Sequence, residues 1–522
     1  MERKWWTLTA VCIAIFMLLL DITVVNVALP SIQRELHSSF SDLQWVVNAY
    51  ALTLAAFLLT GGAISDLVGR KRVFLIGLAV FTASSAVCGL SSSPLMLNLA
   101  RAVQGVGGAM MFATSLALIA NAFHGRDRGT AFGVFGAVTG AAVAIGPVLG
   151  GIITSGIGWK WIFFVNVPIG IAAVVLTISQ VQESRDPNAK GVDWIGLISF
   201  SGALFLLVYA LSQGNEKGWG STLIVSFLIA SAALLIVFVT AERMQSRPML
   251  DLSLFRRPAF TGASIVAFSI SASIFAMFLY ITLYVQDVLG YDALQAGLRF
   301  LPVTLLSFAV APMAGKMSVR MPVRFLLGGG LVLVGAGLLA MTAIDATSGW
   351  TTLIPGFVLA GAGIGLINPP LAATAVGVVH HSRSGMASGI NSTFRQVGIA
   401  TGIAGLGAVF QHEVVKTTAS SLAASGQAQA VQAAAHGQLP ALLQSGEVSK
   451  LLGGLSPAAR SALHHAYRVG FTEAFSTILT IGGMIALVGA VLALVLVRQR
   501  DFVGAGAPAE TDETSSNATV AA

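Results

Sequence analysis

The sequence predicts an all-α integral membrane protein of fourteen spans, and three observations carry that expectation. Of 522 residues, 55% are hydrophobic and only 10% are charged, whereas soluble domains carry about 25% charged residues. Apolar runs of about twenty residues, enough for a helix to cross a bilayer, recur along the whole chain. Lys and Arg concentrate in alternate connecting segments, as they do in multi-span proteins.

The runs fall at 9–29, 45–62, 73–90, 97–120, 130–153, 162–181, 194–212, 221–240, 260–286, 297–314, 324–343, 352–376, 390–410 and 472–497. Glu2-Arg3-Lys4 before the first run reads as a cytoplasmic anchor. An even number of spans keeps Arg70-Lys71-Arg72, Arg126, Arg128, Arg256-Arg257, Arg498 and Arg500 on that same side. Both termini are therefore expected in the cytoplasm of a bacterial cell, with the chain in its inner membrane. The net charge of +7 comes from these loops, so no nucleic-acid partner is expected. Residues 411–470 are too polar to span and are expected to form short amphipathic helices on the outer face. Residues 501–522 read as a disordered cytoplasmic tail. Cys12 and Cys88 lie in different runs, so no disulfide is expected. The pairs His380-His381 and His464-His465 lack further ligands nearby and read as loop histidines, so no metal is expected.

Glycine patterns repeat at a nearly fixed offset. Gly105 and Gly107 recur as Gly361 and Gly363, 256 positions later, and Gly129, Ala131 and Gly133 recur as Gly385, Ala387 and Gly389 at the same offset. Gly62 recurs as Gly315, 253 positions on. Run n then corresponds to run n+8. This gives a six-helix bundle over 1–181, a linker with two extra helices over 182–258, and a second six-helix bundle over 259–500.

The chemistry starts at Asp21, about halfway along the first run. A carboxylate there costs roughly 3 kcal/mol by insertion scales, and such groups face a partner or a water-filled path. Arg101 is a second buried charge, in Arg101-Ala102-Val103-Gln104-Gly105-Val106-Gly107. A guanidinium stays protonated, so its role is that of a fixed charge. Moving Asp21 toward or away from it would load or release a proton. The alternative is a static Asp21–Arg101 pair that only orders the bundle. The loop Gly62-Ala63-Ile64-Ser65-Asp66-Leu67-Val68-Gly69-Arg70-Lys71 reads either as a plain basic loop or as a conformational latch. In the fifth run Gly136, Gly140, Gly146, Pro147, Gly150 and Gly151 allow close helix packing and a bend. Polar and aromatic residues within runs, Asn26, Gln44, Asn48, Tyr50, Tyr280, Tyr284 and Gln286, are the candidates for cargo contact. Such residues equally serve as interfacial anchors or interhelical hydrogen bonds.

These motifs resemble the major facilitator superfamily. The loop matches its G-x-x-x-D-x-x-G-R-[KR] signature, which implies that Gly62, Asp66, Gly69, Arg70 and Lys71 form a latch with Arg128 in the next basic loop. The fourth-run motif is similar to the family's R-x-x-Q-G-x-G, associated with proton transfer, and the fifth-run pattern looks like the antiporter motif of drug exporters. Leu20-Asp21-x-Thr23-Val24-Val25-Asn26, Trp159-Lys160-Trp161 through Asn166-Val167-Pro168, and Asp193-Trp194-Ile195-Gly196 resemble the 14-span drug:proton antiporter branch (EmrB/QacA type), with Lys160 where Arg is usual.

The resemblance implies a monomeric, proton-driven exporter of lipophilic, often cationic small molecules, working by alternating access and needing no cofactor. Export of an endogenous metabolite or self-made antibiotic is the alternative, with nutrient uptake behind it. An ATP-driven pump is disfavoured because no phosphate loop is present. An enzyme is disfavoured because no nucleophile–base set or metal cluster is evident.

Overall fold

The computed structural model describes residues 2–123, 126–185, 191–245, 248, 250–318, 320–378, 384–435, 439–445 and 455–498. The long helices are α1 (Arg3–Leu36), α2 (Phe40–Val68), α3 (Arg70–Gly89), α4 (Pro94–Ala122), α5 (Arg126–Ile157), α6 (Trp161–Gln180), α7 (Trp194–Lys217) and α8 (Thr222–Met244). They continue as α9 (Pro258–Val288), α10 (Ala293–Met317), α11 (Val323–Ala340), α12 (Ile354–Gly377) and α13 (Ser384–Ala424). Two short helices, α14 (Ala428–Ala434) and α15 (Leu439–Ser445), precede the long α16 (Pro457–Leu496).

Among the described residues, 13 helices are long and apolar enough to cross a membrane. The thirteenth expected span, 390–410, is not one of them. It lies inside α13, whose 41 residues are ample in length but include Arg395, Gln396 and Gln411. Packing against α2 and α16 keeps α13 in the bundle nonetheless.

Starts and stops follow local chemistry. Ser39 opens α2 with a capping box in which its side chain accepts from Asp42 N. Ser93 and Pro94 open α4, and Ser456 and Pro457 open α16. Gly69 separates α2 from α3 at φ 124°, a conformation that suits only glycine.

The repeat read from glycines is visible as packing. A Cβ on Gly105 would strike Tyr50 and Thr53 of α2, and one on Gly361 would strike Val303 of α10. A Cβ on Gly107 would strike Gly77 and Phe81 of α3, and one on Gly363 would strike Gly330 and Val334 of α11. Partners of α4 and of α12 therefore also differ by eight helices. One group packs through α2–α4, α3–α4, α1–α5 and α3–α6, the other through α10–α12, α11–α12, α11–α16 and α13–α16, and α7 pairs with α8.

The two groups meet closely at the end of the bundle remote from the α2–α3 loop, the far end. There Gln286 Nε2 donates to Val27 O at 2.7 Å, joining α9 to α1, and Leu294 N donates to Ser155 Oγ at 2.9 Å, joining α10 to α5. Gln44 of α2 donates to Ile403 O of α13 at 3.2 Å and to the Tyr280 hydroxyl of α9 at 3.3 Å. At the loop end nothing packs on three glycines of these two helices: a Cβ on Gly133 or Gly136 of α5 or on Gly315 of α10 would meet nothing within 4 Å.

Several local expectations change. The segment 411–470 is mostly extensions of α13 and α16, with α14 and α15 between them, around a small core of Leu422, Val431, Leu439, Leu443 and Leu463. His464 and His465 are not loop residues. They lie on α16 and line a cleft of about 790 Å³ with Arg460, Arg468 and Thr347. Cys12 and Cys88 are both free and buried. His380, His381 and the tail 501–522 lie outside the described residues.

Candidate functional site

The structure brings Asp21 and Arg101 together. The α1 carboxylate and the α4 guanidinium form an ion pair with both side chains 1% exposed. Arg101 Nη1 donates to Asp21 Oδ2 and, at 2.8 Å, to Gln104 Oε1 one turn on, while its Nε donates to Val46 O of α2 at 3.1 Å. The second carboxylate oxygen accepts from Gln104 Nε2 at 3.0 Å and from Asn166 Nδ2 of α6 at 3.2 Å. Asn166 also donates to Ser85 Oγ of α3 at 3.0 Å, and Ser85 to Phe163 O at 2.9 Å. Five helices thus converge on one carboxyl group. Every partner of Asp21 is a donor, which is the geometry of an ionised carboxylate. The guanidinium also lies 4.3 Å from the centre of the Tyr50 ring, a cation–π contact.

Tyr50 therefore belongs to this cluster, with its hydroxyl beside Gly108. Gln104, Asn166 and Ser85 are members the sequence reading did not single out. A signal existed for two of them: Gln104 is one turn from Arg101, and Asn166 is a lone amide inside an apolar run. Asp21 is only 2% exposed, so the site is closed to solvent in this conformation.

The latch residues have another arrangement. Asp66 pairs with Arg70 one turn away, Nη2 to Oδ1 at 2.9 Å. Glu183, in the segment after α6, accepts from Lys71 N at 3.0 Å and Arg72 N at 3.3 Å, capping α3. Lys71 Nζ donates to Ile178 O at 2.9 Å. A Cβ on Gly69 would stand 2.7 Å from the Glu183 carboxylate, so close approach reinforces the demand for glycine. Gly62 is unobstructed, and the Arg128 side chain lies outside the described residues. Glu183 was not legible, because its role depends on the return of the chain after α6.

The α5 motif divides in two. A Cβ on Gly146 would overlap Thr23, and one on Gly150 would stand 2.9 Å from Val24 O, so these glycines let α5 touch α1. Gly151 lies against Ala293 and Leu294 of α10, and the Pro147 carbonyl against Gly297. Gly136 is open and Gly140 meets only Phe308, at 3.8 Å.

The cargo candidates do not converge. Asn26 donates to Ile22 O on its own helix at 3.2 Å. Asn48 is fully buried, and neither of its amide atoms has a partner among the described residues. Tyr280 donates to Ile403 O at 2.6 Å, and Gln286 ties α9 to α1 as above, so both belong to the far-end contact. Tyr284 stacks on Phe471 and Phe475 and donates to Ser348 O at 3.3 Å. Asp287 is exposed at the far end of α9. Arg395 donates to Asn368 Oδ1 of α12.

Residues 11–403 match the Major Facilitator Superfamily, and the chain belongs to it. It is 37% identical over 404 residues to the multidrug resistance protein Stp of Mycobacterium tuberculosis (strain CDC 1551 / Oshkosh), covering 77% of this chain and 75% of that protein. It is 31% identical over 498 residues to the tetracenomycin C resistance and export protein of Streptomyces glaucescens, covering 94% and 91%. A solved structure of a bacterial homologue of the lysosomal transporter Spinster, inward-facing and occupied, shares the fold at TM-score 0.61 and 17% identity, covering 97% of this chain and 100% of that one. The chain is thus a multi-pass membrane transporter of the drug-efflux type, not an enzyme.

Proposed function

We propose that this chain is a proton-coupled antiporter that exports lipophilic small molecules, with Asp21 as the proton site. The observation that supports it most is the carboxylate buried at mid-bundle and held only by donors from Arg101, Gln104 and Asn166. On this reading the α2–α3 loop lies in the cytoplasm with both termini inside and the far end facing out, and the close far-end contacts with unpacked loop-end glycines support an inward-open conformation. The bundles 1–181 and 259–500 rock about each other within a single monomeric chain, with 182–258 supplying α7 and α8.

In the inward-open state Asp21 is ionised and bonded to α4 and α6. Protonation from the outward-open state would remove the charge that holds α1 to Arg101, and return to the inside would release the proton. Each pH unit then supplies about 1.4 kcal/mol per proton. Exchange that moves net positive charge inward gains about 2.3 kcal/mol per elementary charge per 100 mV. On this reading the latch engages in the outward-open state, and the present bonds of its residues to Glu183 and within the loop fit a released latch.

A second reading, export of a self-made antibiotic, is favoured by the relative named for tetracenomycin C resistance and export. A panel of dyes and antibiotics tested in proteoliposomes tests both. Uphill movement of many unrelated compounds under an imposed pH gradient supports multidrug efflux, and movement of one compound class supports the second reading. Movement that ignores the gradient contradicts proton coupling.

A further inference from the structure

One charged side chain deep in the bundle is unused by this mechanism. Arg395 stands three turns into α13, ~16 Å from the first residue of that helix at about 1.5 Å per residue. It is half-buried, and Asn368 of α12 is its one hydrogen-bond partner among the described residues. No carboxylate pairs with it there. A lone charge at such depth is retained where it faces an internal path or a ligand.

The neighbours of α13 show which way Arg395 faces. Ala400 and Ala404, with Val397, pack on Leu204 and Val208 of α7, which lies outside the two bundles. A Cβ on Gly407 would meet Gln44 of α2, and Cβ atoms on Gly398 and Gly402 would meet Phe268 and Ala272 of α9. With about 3.6 residues per turn, Arg395 projects opposite the α7 face, on the stripe between the α2 and α9 contacts. Ser388 and Ser392 share that stripe, both half-buried. The stripe therefore borders the space between the bundles. Asp21 and Arg101 neutralise each other, so the fixed charge bordering that space is positive.

We propose that Arg395, steadied by Asn368 and flanked by Ser388 and Ser392, recognises an oxyanion on the cargo: a carboxylate, sulfonate or phenolate carried on a lipophilic body. The guanidinium offers a planar fork of donors that matches two such oxygens at once. This deepens the export reading and rests on it. It replaces the expectation of a mainly cationic cargo, because a cation entering this space would meet Arg395 while Asp21 is sealed.

The test uses the full chain and two dyes with one ring system, anionic fluorescein and cationic rhodamine 123. Binding is read by fluorescence anisotropy on the purified protein. The wild type is expected to bind fluorescein more tightly than rhodamine 123. R395Q keeps length and polarity and should weaken fluorescein about 10-fold or more, the size of a charge-assisted hydrogen bond, while changing rhodamine 123 less than about twofold. R395K should recover part of the loss, which a misfolded variant could not. Equal weakening of both dyes, unchanged fluorescein binding in R395Q, or tighter wild-type binding of rhodamine 123 overturns the proposal. If it fails while rhodamine 123 is still driven uphill by a pH gradient, the export reading stands. If the wild type neither binds nor moves either dye, both readings fall.

Discussion

Asp21 has three donors converging on it, one of them a guanidinium sealed beside it, whereas Arg395 in the other bundle is half-buried with one amide partner among the described residues. The repeat makes the contrast instructive. Moved by 256 positions, Asp21 falls on Met277 and Arg101 on Phe357, and both of those are buried and apolar. The duplicated scaffold keeps its packing glycines, Gly105 with Gly361 and Gly107 with Gly363, but not its charges. One bundle holds a buried ion pair, which the proposed mechanism uses as its proton gate. The other holds a cation bonded to a neutral amide, which the proposed recognition of an oxyanion uses as its anchor.

The comparison breaks most completely at Asp21. D21N keeps shape and can still bond Gln104 and Asn166, so the chain should insert and fold. Uphill export in inverted vesicles should vanish while downhill flux of the same dye persists. Loss of both fluxes together with loss of folded protein would instead mark the pair as purely structural.

Arg101→Leu is the next largest change, since it strands a buried carboxylate. A cost of about 3–5 kcal/mol is expected, seen as a lower melting temperature in detergent. Combining it with D21N should restore much of that stability, and additive losses would argue that the two residues do not act as a pair.

Gly151→Val places branched atoms where Ala293 and Leu294 of α10 pack. It should hold α5 off α10, favour far-end opening, and make a cysteine at Asn26 react at least several-fold faster with an impermeant maleimide applied outside. An unchanged rate would show that this contact does not close the far end. Gly69→Ala should cost about 1–3 kcal/mol from its positive φ and its clash with Glu183. Pairing it with Glu183→Ala should relieve only the clash. The smallest effect is expected from Gln286→Ala, which removes one hydrogen bond between α9 and α1 worth about 0.5–1.5 kcal/mol. The same maleimide assay should show a few-fold rise.

How far the sequence could be read follows from the range of each interaction. Spans and caps are local, so hydropathy and residues such as Ser39 and Ser93 expose them. Asp21 and Arg101 stand out in the sequence because a charge in hydrocarbon is costly, but their distance is not legible there and is given by the structure. Arg395 lowers the mean hydropathy of α13, so the run 390–410 stands out less than the other spans. Glu183, Ser85 and Glu35 stayed hidden: Glu35 binds Trp159 Nε1 and Lys160 Nζ, both at 2.7 Å, across a turn whose direction no local pattern specifies. Tyr280, Tyr284 and Gln286 showed polar character but not destination, because helix rotation decides whether a side chain meets cargo or a neighbouring carbonyl.

The most direct test of the account counts protons. Purified protein in lightly buffered detergent solution, equilibrated at a pH acidic enough that Asp21 starts protonated, is saturated with a transported drug in the absence of any gradient, and pH is followed with an indicator. Proton release by the wild type, lost in D21N while drug still binds, is the expected result. Equal release by both would move the proton site away from Asp21 and contradict the mechanism.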